Sequence, residues 1–123
     1  MAIPYSDNGR SNIYQQQGVF APAGDIHATL PNMLTYLEQQ ISETDAAVKL
    51  THQPTTNNIG LGWGVAKRNG YRDIQHNGST MGFNSHLSGF PELGSGCVVL
   101  VNNRTNMGKL IFGIQQISKR TDL

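Results

Sequence analysis

The residues with the clearest chemical potential form one segment, from His76 through Asn77, Gly78 and Ser79 to Thr80. An imidazole changes charge between about pH 5 and 8, so it can exchange protons with a bound ligand. The amide and the two hydroxyl groups can donate and accept hydrogen bonds. Such groups can line a catalytic or binding site, but a strand histidine with a hydrogen-bonded ring would fit this segment equally well.

Composition bounds the class of protein. A length of 123 residues suits one domain, and a hydrophobic fraction of 37% can form a packed core. Charged residues make up 14% and the formal net charge is +1, which is too neutral for an electrostatic nucleic-acid binder. A nearly neutral surface also favours association between proteins. We expect no nucleic-acid partner.

The other reactive residue types indicate no cofactor. Cys97 is the single cysteine, so no disulfide can form within the chain, and its apolar neighbours predict a buried thiol. The four histidines lack the spacing of zinc ligands. No apolar stretch approaches the roughly 20 residues of a membrane helix, and the N-terminus has no signal-peptide pattern. We expect a soluble chain with no metal, no cofactor and no membrane partner.

The first helix is the best-defined element that could position the site. Residues 1–25 are polar and contain turn formers, which predicts an extended or mobile N-terminal arm before a single domain at residues 26–123. A helix is predicted over residues 30–41 with Thr29 as its N-cap. Its apolar residues recur at helical spacing, as Leu30, Met33, Leu34, Leu37 and Ile41.

Strand patterns follow. Glycine and apolar residues alternate through residues 60–65, which predicts a strand. Asn69-Gly70 is a two-residue hairpin signal, so residues 71–75 are expected to return antiparallel. Further strands are predicted at residues 83–90 and 96–101. The last of these is continuously apolar, as in a central strand that is covered on both faces.

The chain closes with a predicted helix. Its apolar stripe consists of Leu110, Ile111, Ile114 and Ile117. Asn106 is a suitable N-cap, and Lys119-Arg120 near the C-terminus would interact favourably with the helix dipole. Helices therefore precede and follow consecutive strands joined by short turns. This order predicts an α+β fold, an antiparallel β-sheet with N-terminal and C-terminal helices packed on it.

Four motifs in this order resemble the C-terminal part of the class C β-lactamase, DD-peptidase and esterase family. They are Pro22-Ala23-Gly24 with Thr29, Gly60-Leu61-Gly62-Trp63, His76-Asn77-Gly78, and the pair of strands from Gly82-Phe83 to residues 98–102. The histidine triplet is similar to the family's third motif in its H-x-G form. The likeness covers about residues 20–118, and it implies a partial β-lactamase/transpeptidase-like fold.

The resemblance also implies roles for the candidate residues. In this family a serine of an S-x-x-K motif attacks an amide, ester or β-lactam carbonyl, and the third motif lines the opposite wall. His76 would lie near the substrate carboxylate, and Gly78 would let the strand approach the substrate closely. The backbone N–H of Ser79 would be one of two oxyanion-hole donors. Asn77 replaces the usual Thr or Ser and can still donate through its amide.

The chain departs from the family pattern in its nucleophile. No serine has a lysine three residues later; the serines are Ser6, Ser11, Ser42, Ser79, Ser85, Ser88, Ser95 and Ser118. Tyr5-Ser6-Asp7-Asn8 resembles the family's Y-x-N motif with an insertion, but it lies much closer to Pro22 than in the family. The resemblance therefore implies a fragment or remnant that is inactive alone.

Two classes of function remain open. The first is the C-terminal portion of a serine acyl-hydrolase, whose upstream N-terminal portion would be its partner. The second is a noncatalytic homodimeric structural or interaction protein, or a ligand-binding module, on the same fold. In the family architecture the strand at residues 96–101 pairs with strands that this chain lacks, and an apolar edge strand is a template for pairing. We expect a homodimer of C2 symmetry through residues 96–101, the C-terminal helix or the N-terminal arm.

Overall fold

Four antiparallel strands form one sheet in the order β1-β2-β3-β4. The computed structural model describes residues 1–14 and 16–118. The strands are β1 (Gly64–Arg68), β2 (Tyr71–Thr80), β3 (Phe83–Phe90) and β4 (Ser95–Val101). The described helices are α1 (Ala21–Gly24), α2 (Leu30–Ser42), α3 (Ala46–Thr51) and α4 (Gly108–Ser118). The predicted α+β class with an antiparallel sheet is confirmed.

The helix α2 begins at its predicted cap. The Oγ1 of Thr29 accepts a hydrogen bond from the Asn32 N–H at 3.3 Å, and the Asn32 side chain accepts one from the Thr29 N–H. These two bonds satisfy donors that the first helical turn leaves open. Met33, Leu37 and Ile41 of the predicted stripe face the sheet, whereas Leu30 and Leu34 are exposed. Leu37 is 3% exposed. It packs in a core with Trp63, Val65, Ile74 and Leu87.

The helix α4 covers the opposite face of the sheet. Because successive side chains of a strand point to opposite faces, Leu87 faces α2 whereas His86 and Ser88 face away from it. The side chain of Gln115 in α4 lies 3.4 Å from the His86 ring and 3.1 Å from the Ser88 hydroxyl. The strands β3 and β4 therefore lie between α2 and α4.

The strand predicted at residues 60–65 is shorter in the structure at its start, since β1 begins only at Gly64. The segment before it turns: Gly62 has a φ of +79°, and the Gly60 N–H donates to the Trp63 carbonyl at 2.8 Å. Alternating glycine and apolar residues imitate the period of a strand, but a left-handed glycine reverses the chain. Trp63 is nevertheless a core residue, 6% exposed.

The strand β4 lies at an edge of the sheet, where its apolar run predicted a central position. Both α2 and α4 pack on it. A strand covered on both faces needs apolar side chains in both directions, whether it has one neighbouring strand or two. This explains why composition alone gave the wrong position. The thiol of Cys97 is buried, as predicted.

The predicted apolar stripe of α4 is only partly covered. Ile111 and Ile114 are half-buried. Leu110 and Ile117 are 52% and 59% exposed. Spacing predicts which residues share a side of the helix, but it does not say how much of that side a neighbour covers. Two of the four residues of the predicted stripe are therefore left exposed.

The ends of α4 are described in part. The Oδ1 of Asn106 accepts a hydrogen bond from the Gly108 N–H at 2.8 Å, so the predicted capping residue does satisfy a donor of the first turn. Lys119 and Arg120, predicted to interact with the helix dipole, lie outside the described residues, as do the other residues of the 119–123 segment.

A cluster of charged residues fastens the end of α2 to the start of β2. Arg72 donates from its two terminal nitrogens to the Glu43 carboxylate at 2.6 and 2.8 Å, and from Nε to Glu92 at 2.6 Å. Glu43 also accepts a hydrogen bond from the Nδ1 of His52 at 2.8 Å. The hydrogen-bonded guanidinium lowers the pKa of the Glu43 carboxyl, against the opposing effect of burial. The cluster holds α2 against the sheet and so fixes the core.

The N-terminal arm crosses the end of the sheet at β4. The Tyr5 N–H donates to the carbonyl of Asn102, just beyond β4, at 3.0 Å. Pro4 is buried beside Gly82 in the turn between β2 and β3. Residues 18–24 form short helical turns. The first residues of the arm are thus anchored to the same end of the sheet that carries residues 76–79.

Candidate functional site

Part of β2 has a free edge, because β2 is longer than its neighbour β1. β1 pairs with residues 71–75 only, whereas β3 pairs with residues 74–80. On the side of β1, residues 76–80 therefore have no strand neighbour within the described chain. Residues 76–79, the four predicted site residues, are all exposed.

The turn before β2 determines which backbone groups point away from β3. Asn69 and Gly70 have φ values of 45° and 87°, which confirms the predicted hairpin. A two-residue turn makes its flanking residues, here Arg68 and Tyr71, a hydrogen-bonded pair, and the bonding direction then alternates along the strand. By this alternation Ser79, like Tyr71, directs its N–H and C=O towards the β1 side.

Two hydrogen bonds support this assignment. The N–H of Arg72, next to Tyr71, donates to the Glu92 carboxylate at 2.8 Å, beyond β3 and away from β1. The N–H of Val65 in β1 donates to the Asn58 carbonyl at 2.7 Å, away from β2. Both follow the expected alternation. Asn77 and Ser79 therefore present backbone donors and acceptors to a ligand beyond the end of β1.

The predicted site residues divide between the two faces of the sheet. His76 points to the face covered by α2, whereas Asn77 and Ser79 point to the face covered by α4. No hydrogen bond joins the His76 ring to another described side chain. Gly78 lies opposite Ser85, and a Cβ on Gly78 would be 2.6 Å from the Ser85 hydroxyl oxygen. A glycine at this position lets the two strands approach without displacing that hydroxyl.

A cleft of about 460 Å³ opens beside this edge. Asn77, Gly78 and Ser79 line it from β2, and residues 104–108 line it from the segment that leads into α4. His76 is not part of the lining. The structure thus brings three of the four predicted residues to one cleft and leaves the imidazole on the other face.

Asparagine side chains hold the wall of the cleft opposite β2. The Oδ1 of Asn103 accepts from the Thr105 N–H at 2.9 Å, and the Nδ2 of Asn84 in β3 donates to the Thr105 carbonyl at 3.1 Å. Arg104, the charged residue of the lining, lies between Asn103 and Thr105 in the chain. A guanidinium can bind a carboxylate through two parallel hydrogen bonds. The cleft therefore combines strand hydrogen-bonding groups with a positively charged side chain.

Sequence reasoning missed Arg104 and Asn84. Asn103 and Thr105 have the spacing of a turn in which an asparagine side chain accepts a backbone N–H two residues on. That pattern could have predicted an ordered segment around Arg104. Nothing local predicts Asn84, because its role depends on how β3 is placed relative to residues 102–108.

His86 supports the cleft from beneath. The Nε2 of Gln115 is a donor only, so the Nε2 of His86, 3.4 Å away, is its acceptor. The Nδ1 of His86 then carries the proton and donates to the Oδ1 of Asn77. Burial lowers the pKa of His86, and the charge of Asp73 opposes this effect. The neutral ring thereby fixes the Asn77 side chain at the cleft.

Three neighbouring residues have the types of a catalytic triad but not its geometry. Ser88, His86 and Asp73 lie on the same face of the sheet. The Ser88 hydroxyl, however, donates directly to Asp73 at 3.0 Å and accepts from Gln115 at 3.1 Å. It is also completely buried. This group is a satisfied polar network inside the fold, and Ser88 cannot reach a substrate.

The hydroxyl groups at the cleft are not activated either. Ser79 and Ser85 line it, but no described histidine or lysine forms a hydrogen bond with them, as activation of a serine nucleophile requires. Tyr5, at the Y-x-N-like segment, contacts Asn102 at the end of β4 through its backbone. Neither lining serine is therefore paired with a described general base.

Over residues 1–14 and 16–118, no cluster of three or more His, Cys, Asp or Glu residues could hold a metal ion. The helices in the same part of the chain are too short or too polar to cross a bilayer. No protein-family model matches the chain, and no curated protein matches it. The function must therefore be argued from the geometry of the cleft and of the strand edge beside it.

Proposed function

We propose that this chain forms one wall of the ligand site of a β-lactamase/DD-peptidase-like serine acyl-hydrolase, and that it is inactive in acyl transfer alone. The observation that carries the proposal is the unpaired edge of β2 at residues 76–80, beside the cleft. An upstream portion of the same enzyme is the partner that would supply the nucleophile.

The free edge suits an extended, peptide-like ligand. An extended chain can add to an exposed strand through backbone hydrogen bonds, which give affinity without a deep pocket. The N–H of Ser79 would donate to a ligand carbonyl, and the backbone of Asn77 offers a second pair of groups. Arg104 across the cleft would bind a terminal carboxylate. The favoured ligand is therefore a short acyl-peptide with a free C-terminus, or a β-lactam of similar shape.

Binding can be tested separately from chemistry. Chemical-shift titration of the ¹⁵N-labelled chain with N-acetyl-D-Ala-D-Ala should shift the amides of Asn77 and Ser79. Arg104→Ala should weaken binding by about tenfold or more, as loss of a charge-assisted hydrogen bond does. Arg10→Ala, in an exposed turn of the arm, is the matched control and should bind as the parent does. The methyl ester of the ligand should bind the parent more weakly than the free acid does. Arg104→Ala should bind the ester and the free acid about equally.

The chemical half of the proposal requires an inactive chain. Incubation with nitrocefin or p-nitrophenyl acetate should give no turnover above background, and intact-mass analysis should show no added acyl group. A covalent adduct on any serine would contradict the proposal. Failure of the peptide to shift the β2 amides at millimolar concentration would also contradict it.

A second candidate function is that of a noncatalytic homodimeric interaction protein. The observation that favours it is the apolar edge of β4, on the opposite side of the sheet from the candidate cleft edge. Since the two edges are distinct, dimer formation would leave residues 76–80 free. The two functions are separable by substitution at one edge or the other.

A further inference from the structure

The outer edge of β4 has the features of a strand that pairs. β4 runs for seven residues, Ser95–Val101, without lysine or proline, which proteins often use to keep an edge from pairing. No described strand pairs with its outer side. On this side, the described backbone makes a hydrogen bond just beyond the end of the strand, where the carbonyl of Asn102 accepts from the Tyr5 N–H.

The backbone groups on this edge can be assigned by alternation. Gly78 in β2 bonds towards β3, so its partner Ser85 bonds towards β2, and the neighbouring residue His86 bonds towards β4. His86 pairs with Val99, which therefore bonds inwards. Gly96, Val98 and Leu100 then direct their N–H and C=O groups outwards. The outward carbonyl of Asn102, two residues after Leu100, agrees with this pattern.

The first turns of α2 above this edge are apolar, and the exposed Glu38 follows one turn after Leu34. Tyr36 stacks on Trp63 beside β1, with ring centroids 6.3 Å apart. Leu34 is two residues from Tyr36, about 200° around the helix, so it lies on the opposite side, towards the outer edge of β4. Leu30 is one turn earlier on that side. Leu30 and Leu34 are 47% and 42% exposed.

The side of α4 beneath the edge is apolar as well. Gln115 reaches His86 and Ser88 in β3, which marks the side of α4 nearest that strand. Leu110 and Ile117 lie about 140° and 200° from Gln115 around the helix, so they face away from β3. Because α4 packs on β4, this side lies along the outer edge. We call the apolar surface so formed the β4-edge stripe: Leu30, Leu34, Leu100, Leu110 and Ile117.

We propose that the β4-edge stripe binds a second copy of this chain, and that the two β4 strands pair antiparallel about a twofold axis at Val98. In this register Val98 pairs with Val98 of the second copy, and Gly96 pairs with its Leu100. The twofold axis repeats the pair of Gly96 with Leu100, which makes three pairs in all. Each pair joins residues whose backbone groups point outwards, so each can exchange two hydrogen bonds. The two sheets become one continuous sheet, and the apolar sides of α2 and α4 meet their counterparts.

Self-complementarity favours a second copy as the occupant. Gly96, Val98 and Leu100 are evenly spaced, so the outward groups of β4 match those of an identical strand when the direction is reversed. The stripe contains no charged residue, and the formal net charge of +1 gives little repulsion between copies. A twofold interface also covers both copies of the exposed stripe at once and uses both β4 edges, so β4 has no edge left to pair with a third copy.

Sedimentation equilibrium from about 1 to 200 μM tests the proposal. The parent should have twice the 13.4 kDa mass of the chain. Leu100→Lys, which places a charge on the edge strand, should raise the dimer dissociation constant by at least about tenfold. Leu50→Lys, at a position in α3 that is 63% exposed, is the matched control and should remain dimeric. Circular dichroism shows whether each variant is folded.

Disulfide trapping tests the register independently of any change in stability. Residues in a hydrogen-bonded antiparallel pair have Cα atoms about 5.5 Å apart, within the range of a disulfide. In a Cys97→Ala background, Val98→Cys should therefore form a disulfide-linked dimer on mild oxidation. Leu100→Cys is more exposed but would lie four positions from its own counterpart, so it should remain unlinked.

Four results would overturn the proposal. They are a parent that is monomeric at every concentration, a dimer that Leu100→Lys leaves intact, loss of the dimer in Leu50→Lys as well, and linkage through residue 100 but not residue 98. The parent could instead be monomeric and bind an upstream segment of its own enzyme through β4. That result would show that the β4 edge binds this segment and not a second copy of the chain.

Discussion

Asn77 and His86 are joined by a hydrogen bond between β2 and β3, in which the imidazole Nδ1–H donates to the carboxamide oxygen. One partner is exposed at the cleft and the other is 3% exposed beneath α4. This bond therefore couples the cleft surface to the polar network of Asp73, Ser88 and Gln115 inside the fold.

Removing the acceptor should destabilise the fold. Asn77→Ala leaves a buried N–H of His86 without a partner, which typically costs about 1–3 kcal/mol. Asn77→Asp retains an oxygen acceptor and adds a negative charge, so it should destabilise less and raise the pKa of His86. Urea denaturation gives the free energy of unfolding, and NMR titration follows the ring. Equal stability of Asn77→Ala and the parent would show that the hydrogen bond contributes nothing.

The lowered pKa of His86 makes stability depend on pH. The unfolded ring titrates near its ordinary value of about 6.5, so between the folded and unfolded values the unfolded chain binds more protons. The contribution is complete above about pH 6.5 and is lost as pH falls through the lower, folded value. The free energy of unfolding, measured in urea from pH 7.5 to 5, should fall more steeply in the parent than in His86→Gln.

The control for that experiment is His27→Gln, which removes an exposed imidazole from the segment before α2. It should retain the pH dependence of the parent. If His86→Gln and the parent lose stability in parallel over this range, the buried ring is not the group that responds to pH.

Glycines test how the N-terminal arm is anchored. Gly82 has a φ of +104°, and a Cβ there would lie 2.5 Å from the Cβ of Pro4. Gly82→Ala should therefore cost about 1–3 kcal/mol through backbone strain and should release the arm. Gly113→Ala, in α4 with nothing near its Cβ, should instead stabilise by about 0.5–1 kcal/mol. Limited proteolysis of the arm and urea denaturation measure both effects, and equal changes in the two variants would contradict this packing.

Local patterns predicted the elements that local physics determines. Thr29 begins α2 because it caps free N–H groups, and Asn69-Gly70 turns the chain because both residues accept positive φ. The strand predicted at residues 60–65 is wrong at residues 60–63, because glycine alternation has the period of a strand whatever conformation the glycines adopt. Leu110 and Ile117 share the predicted stripe of α4 but are exposed, because periodicity carries no information about what covers a helix.

The site was only partly accessible from the sequence. Residues 77–79 were predicted from a consecutive motif, and they do line the cleft. Arg104 and His86 required the strand pairing, since each comes close to Asn77 only through the fold. The position of His76 on the α2 face follows from the strict alternation of a strand, which separates neighbouring residues of one motif onto opposite faces.

Amide hydrogen exchange at Ser79 tests the central claim most directly. In the free protein, the outward N–H of Ser79 should exchange at least about tenfold faster than the N–H of Gly78, which bonds to β3. Saturating N-acetyl-D-Ala-D-Ala should slow exchange at Ser79 by about tenfold and leave Gly78 unchanged. A Ser79 amide that is already protected in the free protein, or one whose exchange the peptide does not alter, would contradict the proposed ligand edge.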